Sequence, residues 1–268
     1  MTLFVVVPIV LVLIYSFTSP DYGGTMRFTL SNYVNFFNVT YMKIFLDSLV
    51  IALLSSFYCV LFGYPAAMIL ANRDRDRMRL GKKSSGMLML FVMPMWMNMM
   101  LRTYSWLTIL EKNGLLNSLL KALSMPEVNL LYTRAAVVLG MVYDFLPFMI
   151  LPIYSVLIKI DDSVIEAAQD LGANPVKVFF KVIMPLSIPG IISGFTMVFL
   201  PSITTFYISN IFGGSKVMLI GNVIEERFLV ADDWNFGSAM SIIMMILVFM
   251  SMKIMNLFDK SNENPGVF

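Results

Sequence analysis

The chain has no histidine and a single cysteine, Cys59, among its 268 residues. Without histidine there is no imidazole metal ligand, no histidine general base and no serine–histidine triad. One cysteine cannot close an intrachain disulfide or build a thiolate metal site, so no metal centre is expected. Charge is scarce as well. Asp, Glu, Lys and Arg make up 13% of the residues, against about a quarter in a soluble domain. The net charge of +2 gives no electrostatic footprint for nucleic acid. Apolar residues fill the space, at 58%. A single soluble core cannot hide that much apolar side chain, because small domains keep much of their surface in water. The solvent that accepts it is lipid. A secreted globular protein, a disordered chain and a stand-alone cytosolic enzyme are thereby excluded.

A helix crosses the hydrocarbon with roughly 20 residues. Six stretches of about that length are present: Met1–Phe17, Leu46–Ala71, Met87–Leu110, Ala135–Ile158, Met184–Ser209 and Phe236–Phe258. An open sheet would leave backbone groups unpaired in lipid, so helix is the expected state. The predicted fold is all-α: one polytopic domain over residues 1–268 with six transmembrane helices. The first stretch lacks the basic start and small-residue cleavage site of a signal peptide, so a retained helix is expected. The tail usual before a first span is nearly absent, as it would be were that end truncated.

Orientation follows Lys and Arg. The segment 72–86 holds Arg73, Arg75, Arg77, Arg79, Lys82 and Lys83 and reads as a basic cytosolic loop. Both termini then lie inside. The outer segments are long, and loops of that length are usually functional or carry small elements of their own. Residues 210–235 hold Glu225, Glu226, Asp232 and Asp233. A solvated loop is the plain account of these acids. Docking of a delivery protein, or attraction of cations, is the other.

The sharpest local signal lies in 160–182. Ser163 followed three residues later by Glu166 reads as a capping box, which predicts a helix from Val164. Gly172 is the natural left-handed stop. Asn174 and Pro175 read as the N-cap and first residue of a second helix. Val164, Ala168 and Leu171 form one apolar stripe. A two-turn helix is not stable alone in water, so it must dock. Packing on its own spans and presenting a face to a cytosolic partner are both consistent with these residues.

Glu166-Ala167-Ala168, three residues, Gly172, nine residues, then Val182-Ile183-Met184-Pro185 resembles the signature loop of bacterial ABC-importer permeases, usually written E-A-A, three residues, G, nine residues, I-x-L-P. Val182 and Met184 are the departures, both apolar. Segments along nearly the whole chain extend the likeness: Phe28–Tyr33, Phe62–Ala66, Leu146–Met149, Phe206–Ser209, Leu219–Asn222 and Asp233–Gly237. They are similar to the B-type permease subunits of spermidine/putrescine importers. The resemblance implies a type I importer arrangement in a bacterial inner membrane. Its implied partners are two copies of an ATPase, a second homologous permease and an extracytoplasmic polyamine-binding protein. It implies that Ser163, Glu166, Ala167, Ala168 and Gly172 form the coupling helix seated against the ATPase. ATP and Mg would sit on that partner, with no cofactor in this chain. The residues agree: neither Gly81-Lys82-Lys83-Ser84 nor Phe212–Lys216 has the spacing of a phosphate-binding loop.

Ionisable groups inside spans are costly and are functional suspects. Arg102 and Asp144 fall at similar depth, so an ion pair and a water-filled path are both open. Asn98, Arg102, Ser105 and Trp106 fall on one helix face. A polyamine wants carboxylates and aromatic faces, which makes Asp144, Tyr143, Trp96, Trp106, Tyr104 and Tyr207 pathway candidates. Packing or an interface belt is the alternative for each ring. Arg102 would repel a cation, so it orients Asp144 or gates. Gly190 and Gly194 form G-x-x-x-G, a site of close helix approach within the chain or against a second permease. Pro94, Pro185, Pro189 and Pro201 are expected to kink their spans. Three other functions compete with this one: an importer permease for another small organic cation or amino-acid-derived solute, an ATP-independent transporter or channel, and a membrane enzyme. The last lacks a visible nucleophile–base pair.

Overall fold

The computed structural model describes residues 2–20, 26–81 and 86–263. Helix dominates. Among the described residues four helices are long and apolar enough to cross a membrane: Val39–Arg79, Arg134–Leu157, Pro175–Thr204 and Trp234–Met255. The stretches expected at Met1–Phe17 and Met87–Leu110 carry shorter apolar helices, Phe4–Ser16 and Met87–Trp96. The chain passes back and forth between two compact units.

The first unit gathers Met1–Ala52, Leu110–Val137 and Ile203–Lys253. It contains α1 (Thr2–Ser16), the strands β1 (Thr18–Pro20) and β2 (Met26–Phe28), and α2 (Ser31–Phe36). The strands pair antiparallel with Thr18 opposite Phe28, a small departure from an all-α chain. The unit takes in the first turns of α3 (Val39–Arg79), α6 (Leu115–Ala122) and much of α13 (Trp234–Glu263). The amides of Asn32 and Asn235 both donate to the carbonyl of Thr18, at 2.9 and 2.8 Å. The same two amides donate to the Ser16 and Tyr15 carbonyls at 3.2 and 3.1 Å, acceptors that the end of α1 would otherwise leave open. Phe36, Ile208, Phe212, Leu219, Ile220 and Met240 form its core.

The second unit gathers Leu53–Ile109, Val138–Ser202 and Ile254–Phe268. It holds the rest of α3, α4 (Met87–Val92), α5 (Met99–Leu110) and most of α7 (Arg134–Leu157). It also holds α8 (Asp162–Asp170), α9 (Pro175–Val178) and α10 (Met184–Thr204). Gly190 and Gly194 lie directly on α7. A Cβ at Gly190 would stand 3.0 Å from the Pro152 carbonyl and 3.1 Å from the Ile153 Cα. At Gly194 it would meet the Met149 Sδ at 2.7 Å and the Met149 carbonyl at 3.1 Å. The small pair therefore serves packing within the chain. Replacing Gly190 by Ala is expected to cost about 1–3 kcal/mol, because its neighbours are backbone atoms that cannot swing aside. Gly194→Ala is expected to cost a similar amount, since the Met149 backbone as well as its thioether stands in the way. Melting temperatures of the two purified variants check this; an unshifted melt for either refutes it.

Several boundaries differ from those expected. The basic loop 72–86 is helix as far as Arg79, since α3 runs on through the Arg- and Met-rich stretch, whose residues are good helix formers. Gly81, with φ +69°, follows the last turn; Lys82 and Lys83 lie outside the described residues. The third stretch is broken, not merely kinked. A 3₁₀ turn at Met93–Trp96 follows α4, Met97 is extended, and α5 starts afresh at Met99. Pro94 removes a backbone donor there. Asn98, expected on a polar stripe, caps the new helix instead: its side-chain oxygen accepts from the Met100 N–H at 2.8 Å. The outer loop 210–235 is largely helical: α11 (Tyr207–Gly213), a 3₁₀ turn, α12 (Ile220–Leu229) and the start of α13. The fifth stretch begins at Pro175 and ends at Thr204, with a π turn over Phe179–Ile183. Pro185 follows that turn directly. The wider turn accommodates a ring that would clash with the carbonyl four residues back.

Candidate functional site

Two constellations in the second unit carry chemistry. The first is the segment around α8. Its N-cap is Asp161, whose carboxylate accepts from the Ser163 N–H at 3.0 Å. The expected capping box, Ser163 with Glu166, is not formed, because an aspartate two residues earlier takes the cap and starts the helix at Asp162. The hydrogen bonds from the Ser163 backbone and hydroxyl hold the Asp161 carboxyl below its ordinary 3.8. A depressed carboxylate pKa contributes stability above the unfolded value and loses it as pH falls through the folded one. Asp161→Ala is therefore expected to speed hydrogen exchange in the first turn of α8 at neutral pH. Asp161→Asn, an equally good cap, is expected to preserve protection, and to keep it on acidification below about pH 4 where the native cap weakens. Equal exchange in all three proteins would remove Asp161 as the cap.

The other end of α8 closes as the spacing predicts. Gly172 has φ +80°. Its N–H donates to Gln169 at 2.8 Å and the Ala173 N–H to Ala168 at 3.1 Å, the paired bonds of a Schellman turn. Asn174 caps α9 by accepting from the Lys177 N–H at 2.8 Å, with Pro175 as the first helical residue. Ser163 and Ala167 are exposed and Ala168 is half-buried. The apolar stripe is turned outward: Val164 is 44% exposed and Leu171 89%. Val176 and Phe180 continue the exposed apolar surface.

The charged flank of α8 is held from within. Arg79 Nε lies 2.6 Å from Asp162, and its Nη2 3.1 Å from Glu166. The two carboxylates hold the guanidinium between them, Asp162 at the shorter distance. Arg75 lies 3.3 Å from Asp162 and donates to the Leu157 carbonyl at 2.6 Å. Orientation arguments read Arg75 and Arg79 only as topology signals. Their four-residue spacing would have marked a shared face, had the helix been extended past Ala71.

The second constellation is Arg102 with Asp144, 2.7 Å apart, with side chains 9% and 2% exposed. Arg102 also donates to the Pro94 carbonyl at 3.0 Å, an acceptor at the break of the third stretch. Its guanidinium stands 5.5 Å from the centre of the Tyr143 ring, and Trp106 lies 5.0 Å from that ring. So Arg102, Trp106, Tyr143 and Asp144 come together. Trp96 and Tyr104 are largely exposed instead. Ser105 is exposed and bonds its own backbone at Leu101, so the expected polar stripe is not one continuous face. Tyr207 belongs to the first unit.

Of the four acidic residues in 210–235, Glu225, Asp232 and Asp233 have structural partners. Glu225 accepts from Asn210 at 2.9 Å. Asp232, at φ +53°, accepts from the Trp234 indole at 2.6 Å. Asp233 accepts from the Phe236 N–H at 3.2 Å near the start of α13 and stands 3.9 Å from Arg227. Glu226 is exposed on α12. Asn222 was not singled out by sequence, yet it is buried and joins Ser209, Phe206, Asn210 and the start of α12.

Residues 1–263 match the family of binding-protein-dependent transport system inner membrane components. The chain belongs to this family. The permease is thus a transport component of an inner membrane and not an enzyme. It is 40% identical to the spermidine/putrescine transport system permease protein PotB of Haemophilus influenzae, over 97% of this chain and 92% of the relative. It is 38% identical to PotB of Escherichia coli, over 92% of this chain and 90% of the relative. The permease also shares its fold with a chain of the bacterial alginate ABC transporter crystallised with an alginate pentasaccharide-bound periplasmic protein. That likeness has a TM-score of 0.76 at 16% identity and covers 99% of this chain and 92% of the other.

Proposed function

We propose that the permease imports spermidine and putrescine, driven by ATP hydrolysis on a partner. The names of the relatives at 40% and 38% identity support the substrate. The observation that carries the mechanism is the outward apolar stripe of α8. A short helix with Val164 and Leu171 exposed and its charged flank already paired is unfinished until something covers it. In this reading two ATPase copies, carrying ATP and Mg, cover α8 and the equivalent helix of a second homologous permease. Ser163, Glu166, Ala167, Ala168 and Gly172 form the coupling segment, on the cytoplasmic side together with both termini. An extracytoplasmic polyamine-binding protein delivers substrate to the opposite side, where Glu225, Glu226, Asp232 and Asp233 are the candidate acidic contacts. ATPase closure then biases a two-state change of the spans.

Along the path, Tyr143 and Trp106 offer aromatic faces to an ammonium chain, with Trp96, Tyr104 and Tyr207 as further candidates. Asp144 is neutralised by Arg102, so this pair orients or gates and does not hold a free polycation.

The test is the ATPase activity of the assembled complex with its binding protein in lipid nanodiscs. Spermidine and putrescine are expected to stimulate hydrolysis, while choline and arginine are not. Stimulation by one of the latter, with none by polyamines, overturns the substrate.

A further inference from the structure

We propose that Arg75 and Arg79 are positioning residues that transmit the motion of α8 to α3. This rests on α8 being the ATPase-facing lever. The chain joins α8 directly to two neighbours. Residues 158–161 connect it to α7, and the turn at Gly172 connects it to α9 and onward to α10. No such connection reaches α3, which lies more than 80 residues earlier in the chain. A displaced α8 can act on α3 only through non-covalent contacts, and the ion pairs of the two arginines are suited to that task.

The geometry is that of a clamp. Arg79 grips α8 twice, at Asp162 in the first turn and at Glu166 one turn on. Carboxylates four apart share a helix face, so a forked guanidinium fixes rotation of α8 as well as distance. Arg75, one turn back on α3, reaches the same Asp162 and also the Leu157 carbonyl at the end of α7. A cation suits that position, because helix C-termini carry partial negative charge. Beside it, the Tyr154 hydroxyl donates to Asp74 at 2.8 Å, tying α7 to α3 again. Asp74 and the Arg75 side chain are 1% and 13% exposed, so the root of the clamp is screened from solvent while its tip at Arg79 is not. The end of α3, the end of α7 and the start of α8 are thus held as one body. The outward face of α8 stays clear.

The test is polyamine uptake per ATP hydrolysed, in proteoliposomes of the complete complex with binding protein. Arg79→Glu is expected to lower this ratio about tenfold, while ATP hydrolysis stays within about twofold and the ATPase still copurifies. Arg79→Lys keeps the charge without the fork and is expected to fall between. Lys159→Glu makes the same charge change at an exposed site outside the clamp and is expected to leave the ratio unaltered. Asp162→Asn attacks the clamp from the α8 side and serves if Arg79→Glu does not insert. An unchanged ratio in both Arg79→Glu and Asp162→Asn overturns the proposal. A wild-type complex whose ATPase does not crosslink to α8 overturns the lever reading itself, and that result is distinct from an ATPase seated on α8 with an idle clamp.

Discussion

Asp144→Asn is expected to lower the stability of the permease by about 3–5 kcal/mol, the usual consequence of removing one partner of a buried ion pair. Asp144 and Arg102 are 2% and 9% exposed, so the remaining guanidinium cannot be rescued by water. It would keep the Pro94 carbonyl, the face of the Tyr143 ring and a neutral amide oxygen where the carboxylate stood. The break between α4 and α5 is expected to loosen with it, because Arg102 links that carbonyl to α7 through Asp144. Replacing both partners, Arg102→Met with Asp144→Leu, is expected to recover most of the loss, since an apolar pair needs no compensation. Thermal melts in detergent and uptake in whole cells separate stability from transport. A melt of Asp144→Asn within a degree or so of wild type would show that the pair is not a support. Loss of uptake with normal stability would place the carboxylate on the substrate path instead.

Gly172 gives the largest expected effect on activity. At φ +80° a residue with a Cβ is strained by about 1 kcal/mol or more, whatever the room around it. Room is not the difficulty, since no atom lies within 4 Å of a Cβ built there. Substitutions should therefore rank by their tolerance of the left-handed region and not by size. Gly172→Asn is expected to keep much of the uptake, because asparagine visits that region readily. Gly172→Val is expected to abolish uptake while membrane insertion and expression persist, because the turn that joins α8 to α9 can no longer form. Gly172→Asp adds a charge beside the exposed Leu171, on the face proposed to meet the ATPase, and is expected to abolish uptake too. Normal transport in Gly172→Val would end the coupling assignment.

Much of this molecule is legible along the chain. The scarcity of charge and the apolar stretches announce lipid-facing helices. The α8–turn–α9 unit follows from Gly172, Asn174 and Pro175, each acting on backbone within a few residues of itself. The first cap is ambiguous along the chain because Asp161 and Ser163 both suit that role, and only the helix start at Asp162 selects between them. The third span reads along the chain as one helix kinked at Pro94, because its hydrophobicity is continuous. Pro94 and Asn98 divide it, yet the break is held together by a guanidinium paired with a carboxylate on another helix.

The amino-acid order by itself settled the solvent, the helical state and the turn at Gly172, because these depend on composition and on groups a few residues apart. Tertiary structure alone decided which face of α8 looks outward and which charges meet. Arg79 and Asp162 stand 83 residues apart in sequence. No local preference specifies a contact at that range; it exists because packing of α3 beside α7, through Asp74 with Tyr154 and Arg75 with the Leu157 carbonyl, brings the two opposite charges within reach.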